Sequence, residues 1–158
     1  MRLQDHLVRQ TQRALNDLLR AVDALPPDKV DWKPCETSRS ALSQLKEIAM
    51  APQFFIHVIR NGKMPDMTNH AHDSTEKIEH DLVDLASTKQ KAMEATAELC
   101  SAILDFPDDG LDHEITLPFG GGMVMTMAEI LGLHAWNMTY HYGQINYIQT
   151  ILGDVEMH

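Results

Sequence analysis

Cysteine, basic charge and long apolar runs are the features that this sequence has least of. Only two cysteines occur among 158 residues, too few for a disulfide scaffold and without the paired spacing of a zinc site. No apolar run approaches the roughly 20 residues that span a bilayer. The first ten residues, MRLQDHLVRQ, lack the apolar core of a signal peptide. We therefore expect a cytoplasmic protein with no membrane partner.

Basic residues are also outnumbered by acidic ones. The chain has 13 Lys and Arg against 23 Asp and Glu, which gives a net charge of −10. A surface this acidic repels phosphate backbones, so we expect no nucleic-acid partner. The length suits one domain over residues 1–158. The chain also has nine histidines, and because histidine is a common metal ligand, their positions along the chain matter for function.

Apolar residues recur at spacings of three and four in four long stretches, each of which predicts a helix. Serine at 38 or 40 is a candidate N-cap for the second, Pro52 predicts a kink within it, and Asp73 is the candidate N-cap for the third. Residues 107–125 break the pattern and predict a short hairpin or an irregular loop. The fold class is thus all-α, a four-helix bundle with helices over about 3–25, 40–61, 74–106 and 126–152.

The fourth helix carries polar residues on its apolar side. His134, Asn137 and His141 fall within about 60° of one another at 100° per residue. Buried polar groups need partners, so these residues are either core side chains that hydrogen-bond between helices or part of a ligand site. His134 and His141 are about 10.5 Å apart along the axis, too far to share an ion easily.

Residues 40–55, together with 136–148 and the Leu-Gly pair at 152–153, resemble the DinB-like (YfiT-like) superfamily. The most specific part is His141-Tyr142-Gly143-Gln144, which is similar to the family's His-x-x-x-His-x-Gly-Gln pattern. The resemblance implies a four-helix bundle, often a homodimer. It also implies a divalent metal held by three histidines, one from helix two and two from helix four.

Only His141 matches a family metal ligand residue by residue. The other helix-four ligand falls on Asn137, and the helix-two ligand falls on Glu47. A Glu, Asn and His set favours a harder ion than three imidazoles, with Ni, Zn, Mn and Fe as candidates. A straight helical wheel, however, places Glu47 about 150° from the centre of the apolar stripe, which predicts that it faces solvent.

These observations lead to two alternative hypotheses about function. The first is a metal-dependent protein of hydrolase or thiol-transferase type with an altered metal site, in which His134 is a further polar group of the pocket. The alternative is a non-catalytic dimeric bundle that has lost the metal and binds a small molecule or a partner. The sequence leaves open the substrate, the dimer interface and any contribution of His57 or His158.

Overall fold

A computed structural model describes residues 1–65, 82, 84–118, 121–156 and 158. Four long α-helices form a bundle in which every helix contacts at least two others. This confirms the predicted all-α, four-helix architecture. In chain order, the helices are α1 (Leu3–Ala24), α2 (Ala41–Asn61), α3 (Leu85–Asp105) and α4 (Met127–Ile151).

The ends of α1, α2 and α4 lie within a residue or two of their predicted positions because the local signals act as expected. The Ser40 hydroxyl caps α2 by accepting a hydrogen bond from the Ser43 amide at 3.1 Å. Gly62, which follows α2, adopts a left-handed φ of 62° that suits glycine. At α4, Thr126 and Glu129 cap each other's backbone amides. The helix α2 continues through Pro52.

The third helix starts later than the sequence predicts. Asp84 has an extended backbone and caps α3 by accepting a hydrogen bond from the Ser87 amide at 2.7 Å. The predicted uninterrupted helix over 74–106 is therefore wrong at Asp84, because the extended backbone there, with φ −137° and ψ 172°, cannot continue a helix through that residue. The proposed N-cap at Asp73 lies outside the described residues.

Between α3 and α4 the chain forms a short hairpin, one of the two predicted alternatives. Strand β1 (Glu114–Thr116) pairs antiparallel with β2 (Val124–Thr126), and Ile115 lies opposite Met125. Ile115 and Leu117 are buried against the bundle. Because β2 runs directly into α4, the hairpin anchors the N-terminal end of that helix.

The bundle core consists of two apolar clusters, one toward each end. On each helix, one or two buried residues that belong to neither cluster lie between the residues of the first cluster and those of the second. We call this set the middle layer, and it consists of Thr11, Pro52, Ala95, Thr96 and His134. Three of these five side chains are polar, although the layer is buried.

The outer face of α4 is apolar and exposed. At 100° per residue, its exposed aromatic and aliphatic side chains fall within about 60° of each other. We call them the α4 outer stripe, which consists of Trp136, Tyr140, Tyr147 and Ile151. None of the helices in the described ranges is long and apolar enough to cross a bilayer.

Candidate functional site

His141 lies between two polar side chains of α2. Its imidazole is only 2% exposed, with Nδ1 2.9 Å from Gln44 Oε1 and Nε2 3.1 Å from Glu47 Oε1. Gln44 and Glu47 are three residues apart on α2 and so face the same neighbour. The Gln44 amide nitrogen donates to the Arg39 carbonyl at 3.4 Å, which turns the Gln44 oxygen toward His141.

This orientation determines what each ring nitrogen does. Nδ1 donates its proton to Gln44 Oε1, so Nε2 of the neutral ring carries a lone pair. Nε2 then faces a carboxylate oxygen of Glu47, which is also an acceptor. Two acceptors 3.1 Å apart repel each other unless a cation lies between them. That cation is either a proton on Nε2 or a metal ion.

Asn137 completes the group. It lies one turn before His141 on α4, and its Nδ2 is 3.3 Å from Glu47 Oε1. The structure therefore brings together the three residues that the resemblance indicates: Glu47, Asn137 and His141. The helical-wheel prediction that Glu47 faces solvent is correct only in part, since its side chain is 40% exposed but also contacts Asn137 and His141 on α4. Because α2 packs against both α3 and α4, a long side chain on the flank of the apolar stripe reaches α4.

Glu47 is held in its ionised form. When Nε2 of His141 carries a proton, its hydrogen bond to Glu47, aided by Arg39 on the other carboxylate oxygen, lowers the pKa of Glu47 to about 2, although partial burial acts in the opposite direction. The Glu47 side chain remains 40% exposed. The site thus contains a permanent negative charge that is open to solvent on one side.

His134 behaves differently from His141. Its ring is 1% exposed and packs against Phe55, with centroids 5.7 Å apart. Neither nitrogen has a hydrogen-bond partner among the described residues. Burial lowers the pKa of His134 to about 4. The expectation of a core histidine with inter-helix hydrogen bonds is confirmed for His141, whereas His134 is in the core without them.

A groove begins at the Glu47 and Asn137 side chains and runs between α2, α4 and β2, with a volume of about 920 Å³. Its α4 wall consists of residues spaced by three, four, seven and eight, which share one helical face. Most of the lining is apolar, and the residues are Leu7, Glu47, Ala51, Phe54, Phe55, Met123, Met125, Ala128, Glu129, Gly132, Leu133, Trp136 and Asn137.

Among the remaining described histidines, His113 and His158 have contacts of their own away from this site. His158 Nε2 is 2.8 Å from Asp154, and the His158 carbonyl accepts a hydrogen bond from Tyr142. His113 lies 3.4 Å from the Gly62 carbonyl, and His57 is half-buried on α2. Within the described part of the chain, no group of three His, Cys, Asp or Glu side chains is arranged to hold a metal ion. A site at Glu47 and His141 thus depends on the Asn137 amide.

Sequence reasoning missed two residues that shape this site. Gln44 orients His141, and Arg39 pairs with Glu47. The signal for Gln44 was present, since it lies on the apolar side of α2 next to Leu45 and Ile48 and had to find a partner there. Arg39 precedes the helix, and its direction depends on the loop before α2.

Comparison with known proteins identifies the family. A model of the DinB superfamily matches residues 10–145. The chain belongs to the DinB superfamily. Uncharacterized protein YjoA of Bacillus subtilis is 27% identical over 135 residues, which cover 85% of this chain and 81% of YjoA. The crystal structure of YjoA, a DinB-like protein, matches 97% of this chain and 95% of its own, with a TM-score of 0.67 and 21% identity.

Other solved structures with a similar fold have diverse descriptions. YfiT from Bacillus subtilis, described as a probable metal-dependent hydrolase with an unusual four-helix bundle topology, matches with a TM-score of 0.75 and 12% identity over 95% of this chain and 87% of YfiT. A mycothiol-dependent maleylpyruvate isomerase matches with a TM-score of 0.65 and 14% identity over 92% of this chain, but over only 61% of the isomerase. Identities this low show a shared fold alone.

One structural neighbour bears on the nucleic-acid prediction. The colibactin self-resistance protein ClbS, solved in complex with double-stranded DNA, matches with a TM-score of 0.69 and 13% identity over 93% of this chain and 96% of ClbS. A bundle of this shape therefore occurs with DNA. The absence of a nucleic-acid partner for this chain stays a prediction that rests on its net charge of −10.

Proposed function

We propose that this chain binds one divalent metal ion through His141 Nε2, a Glu47 carboxylate oxygen and the Asn137 amide oxygen, and uses it for hydrolysis or group transfer on a molecule held in the groove. The observation that carries the proposal is the pair of acceptors, Nε2 and Oε1, that face each other at 3.1 Å. A metal ion satisfies both, and the similarity to YfiT, described as a probable metal-dependent hydrolase, and to the mycothiol-dependent isomerase makes hydrolysis and thiol-dependent chemistry the two reaction types to test.

The donor spacing supports this assignment. Atoms that bind one ion at about 2.1 Å lie about 3.0–3.4 Å from each other in octahedral or tetrahedral geometry. The distances from Glu47 Oε1 to His141 Nε2 and to the Asn137 amide are 3.1 and 3.3 Å. The Asn137 amide, whose nitrogen donates to Glu47 Oε1, must turn so that its oxygen faces the ion. Three protein ligands leave coordination positions open, as in catalytic sites.

The neighbouring residues prepare the site. Gln44 accepts the Nδ1 proton of His141 and so directs the Nε2 lone pair toward Glu47, the arrangement by which metal-bound histidines are usually oriented. Arg39 holds the second carboxylate oxygen, which leaves Oε1 for the ion. When bound, the metal supplies Lewis acidity and lowers the pKa of coordinated water. Two oxygens and one nitrogen favour Mn²⁺ or Fe²⁺ over softer ions.

Metal titration of the chelated protein tests the proposal. We expect one Mn²⁺ or Fe²⁺ per chain at micromolar concentration, measured by calorimetry and elemental analysis. His141→Ala removes this binding, whereas His113→Ala, which changes a histidine outside the site, retains it. Asn137→His replaces the weakest ligand with an imidazole and raises the affinity. If the wild type takes up no ion and Asn137→His does not create a site, the metal assignment is wrong.

A second function is favoured by the Arg39 ion pair. The guanidinium already neutralises Glu47 and makes the site less attractive to a cation. In that case a proton on Nε2 completes the hydrogen bonds, and the chain is a non-catalytic bundle that binds a small molecule or a partner. This alternative predicts that a chelator leaves the melting temperature unchanged, while His141→Ala lowers it because Gln44 and Glu47 lose their partner.

We infer that two copies associate through the α4 outer stripe. The stripe runs from Trp136 to Ile151, 15 residue steps or about 22 Å of helix. At its centre, a Cβ on Gly143 would meet no heavy atom of the described residues within 4 Å, apart from the adjacent backbone of its own helix. This leaves room for a second helix to approach closely. Sedimentation of the wild type should give twice the chain mass of 17.8 kDa, and Tyr147→Arg should give a monomer. A concentration-independent monomer for the wild type contradicts this inference.

A further inference from the structure

The charges that line the groove are all of one sign. Among its 13 lining residues, two are ionisable, and both are glutamates: Glu47 and Glu129. Among the described residues, no lysine, arginine or histidine lines it. The chain as a whole carries a net charge of −10, which adds a long-range field of the same sign. We therefore expect the groove to bind anionic ligands less well than neutral or cationic ones.

Glu129 is held in place before any ligand arrives. One carboxylate oxygen, Oε2, accepts hydrogen bonds from the Thr126 amide at 2.7 Å and from the Thr126 hydroxyl at 2.8 Å. The other oxygen, Oε1, accepts none from the described residues. Hydrogen bonding from the Thr126 backbone also lowers the pKa of Glu129, so the group stays ionised near neutral pH. Ordering this carboxylate on binding costs little entropy.

The rest of the groove suits an apolar body. Glu129 and Asn137 are eight residues apart on α4, about 12 Å along the axis. Between them, Leu133 and Trp136 form the α4 wall, and Phe54 and Phe55 form the facing α2 wall. Trp136 is stacked on Tyr140, with ring centroids 5.8 Å apart, so it presents an ordered surface. The groove thus has an anionic end at Glu129, an apolar middle and the Glu47 site at the other end.

We propose that the groove binds an apolar molecule that carries an ammonium group, with the ammonium against Glu129 and the apolar body between the phenylalanines of α2 and Trp136 of α4. This deepens the proposed function by naming its substrate class, an apolar amine with its reactive bond at the Glu47 end. Binding itself needs no metal, so this inference and the metal assignment fail separately.

Three probes with the same apolar body test the proposal: 4-phenylbutylamine, 4-phenylbutan-1-ol and 4-phenylbutanoate. Binding is measured by calorimetry on protein treated with a chelator, which removes any anion binding through a metal. We expect the amine to bind about fivefold tighter than the alcohol, the gain for one unit-charge pair near a solvated surface. The carboxylate should bind more weakly than the alcohol, and salt should reduce the amine preference.

Matched variants locate the ammonium. Glu129→Gln keeps the helix cap, since glutamine also serves at this position, and should make amine and alcohol bind equally. Glu94→Gln removes the same charge from the exposed surface of α3 and should retain the preference. Gly132→Leu adds a side chain where a Cβ contacts only Leu7 at 3.4 Å, so it fills the groove and should block all three probes. The proposal is overturned if the carboxylate binds as tightly as the amine, if Glu129→Gln keeps the preference, or if no probe binds at millimolar concentration.

Discussion

Replacing His134 with leucine tests how the buried imidazole affects stability. The two nitrogens of His134 have no partner among the described residues, and the ring is 1% exposed. Leucine has a similar volume and no polar atom, so the substitution removes two desolvated groups without opening a cavity. Apolar replacement of an unpartnered buried group is neutral or stabilising. At pH 7 we therefore expect the free energy of unfolding to rise by up to about 1 kcal/mol.

The effect should grow as the pH falls. Burial lowers the pKa of His134 from 6.5 to about 4, with Glu47 opposing the shift and His141 adding to it. Between these values the unfolded chain binds the proton and the folded chain does not, so stability is lost as the pH falls through that window. The full difference of 2.5 pH units corresponds to about 3 kcal/mol, of which about 2 kcal/mol is lost between pH 7 and pH 5.

Urea unfolding at pH 7 and pH 5, followed by circular dichroism in the presence of a chelator, measures both effects. His134→Leu should lose about 2 kcal/mol less than the wild type between the two pH values. His6→Gln, an exposed histidine on α1, is the control and should keep the wild-type dependence. If His134→Leu destabilises the protein at pH 7 or retains the full pH dependence, the imidazole has a partner and the reasoning is wrong.

Three further predictions concern the site and its supports. Gln44→Leu should leave His141 Nδ1 without its acceptor and weaken metal binding 10- to 100-fold, roughly the usual effect of losing such a partner, as calorimetry would measure. Since the pKa of Glu47 is lowered to about 2, its stabilising contribution is present above pH 4.5 and lost toward pH 2. Acid unfolding curves of Glu47→Gln should therefore lack that part of the transition. Ser40→Ala removes the α2 cap and should lower the free energy of unfolding by about 1 kcal/mol in a urea titration.

The fold could be predicted from the sequence because its signals are local. Ser40, Thr126 and Gly62 each act on the backbone within a few residues, so their effects do not depend on the remainder of the chain. The start of α3 was mispredicted because the sequence offers two Asp-led cap signals, Asp73 with a glutamate three residues later and Asp84 with a serine three residues later. The sequence pattern at Asp73 is the closer match to a capping box, and only the three-dimensional structure showed that α3 begins after Asp84.

The site could be predicted only in part because its contacts join distant residues. Asn137 and His141 share a face of one helix, which a helical wheel reveals. Glu47 was identified through the family resemblance. The helical wheel of α2 predicted that its side chain faces solvent, because a wheel describes one helix and contains no information about the neighbouring helices. The groove was not predicted, since it is formed by α1, α2, β2 and α4 together.

Buried polar contacts between helices also bear on how the four helices align along the bundle axis. The apolar turns of the two clusters are chemically alike, so one helix could slide past its neighbours by a turn with little loss of apolar contact. A slip of α4 would separate Gln149 from the Ala21 carbonyl and His141 from Gln44, at a cost of about 1–3 kcal/mol for each buried polar group left without a partner. These contacts therefore favour a single register of α4 against α1 and α2. Because Glu47 meets His141 only in that register, the same contacts keep the site assembled.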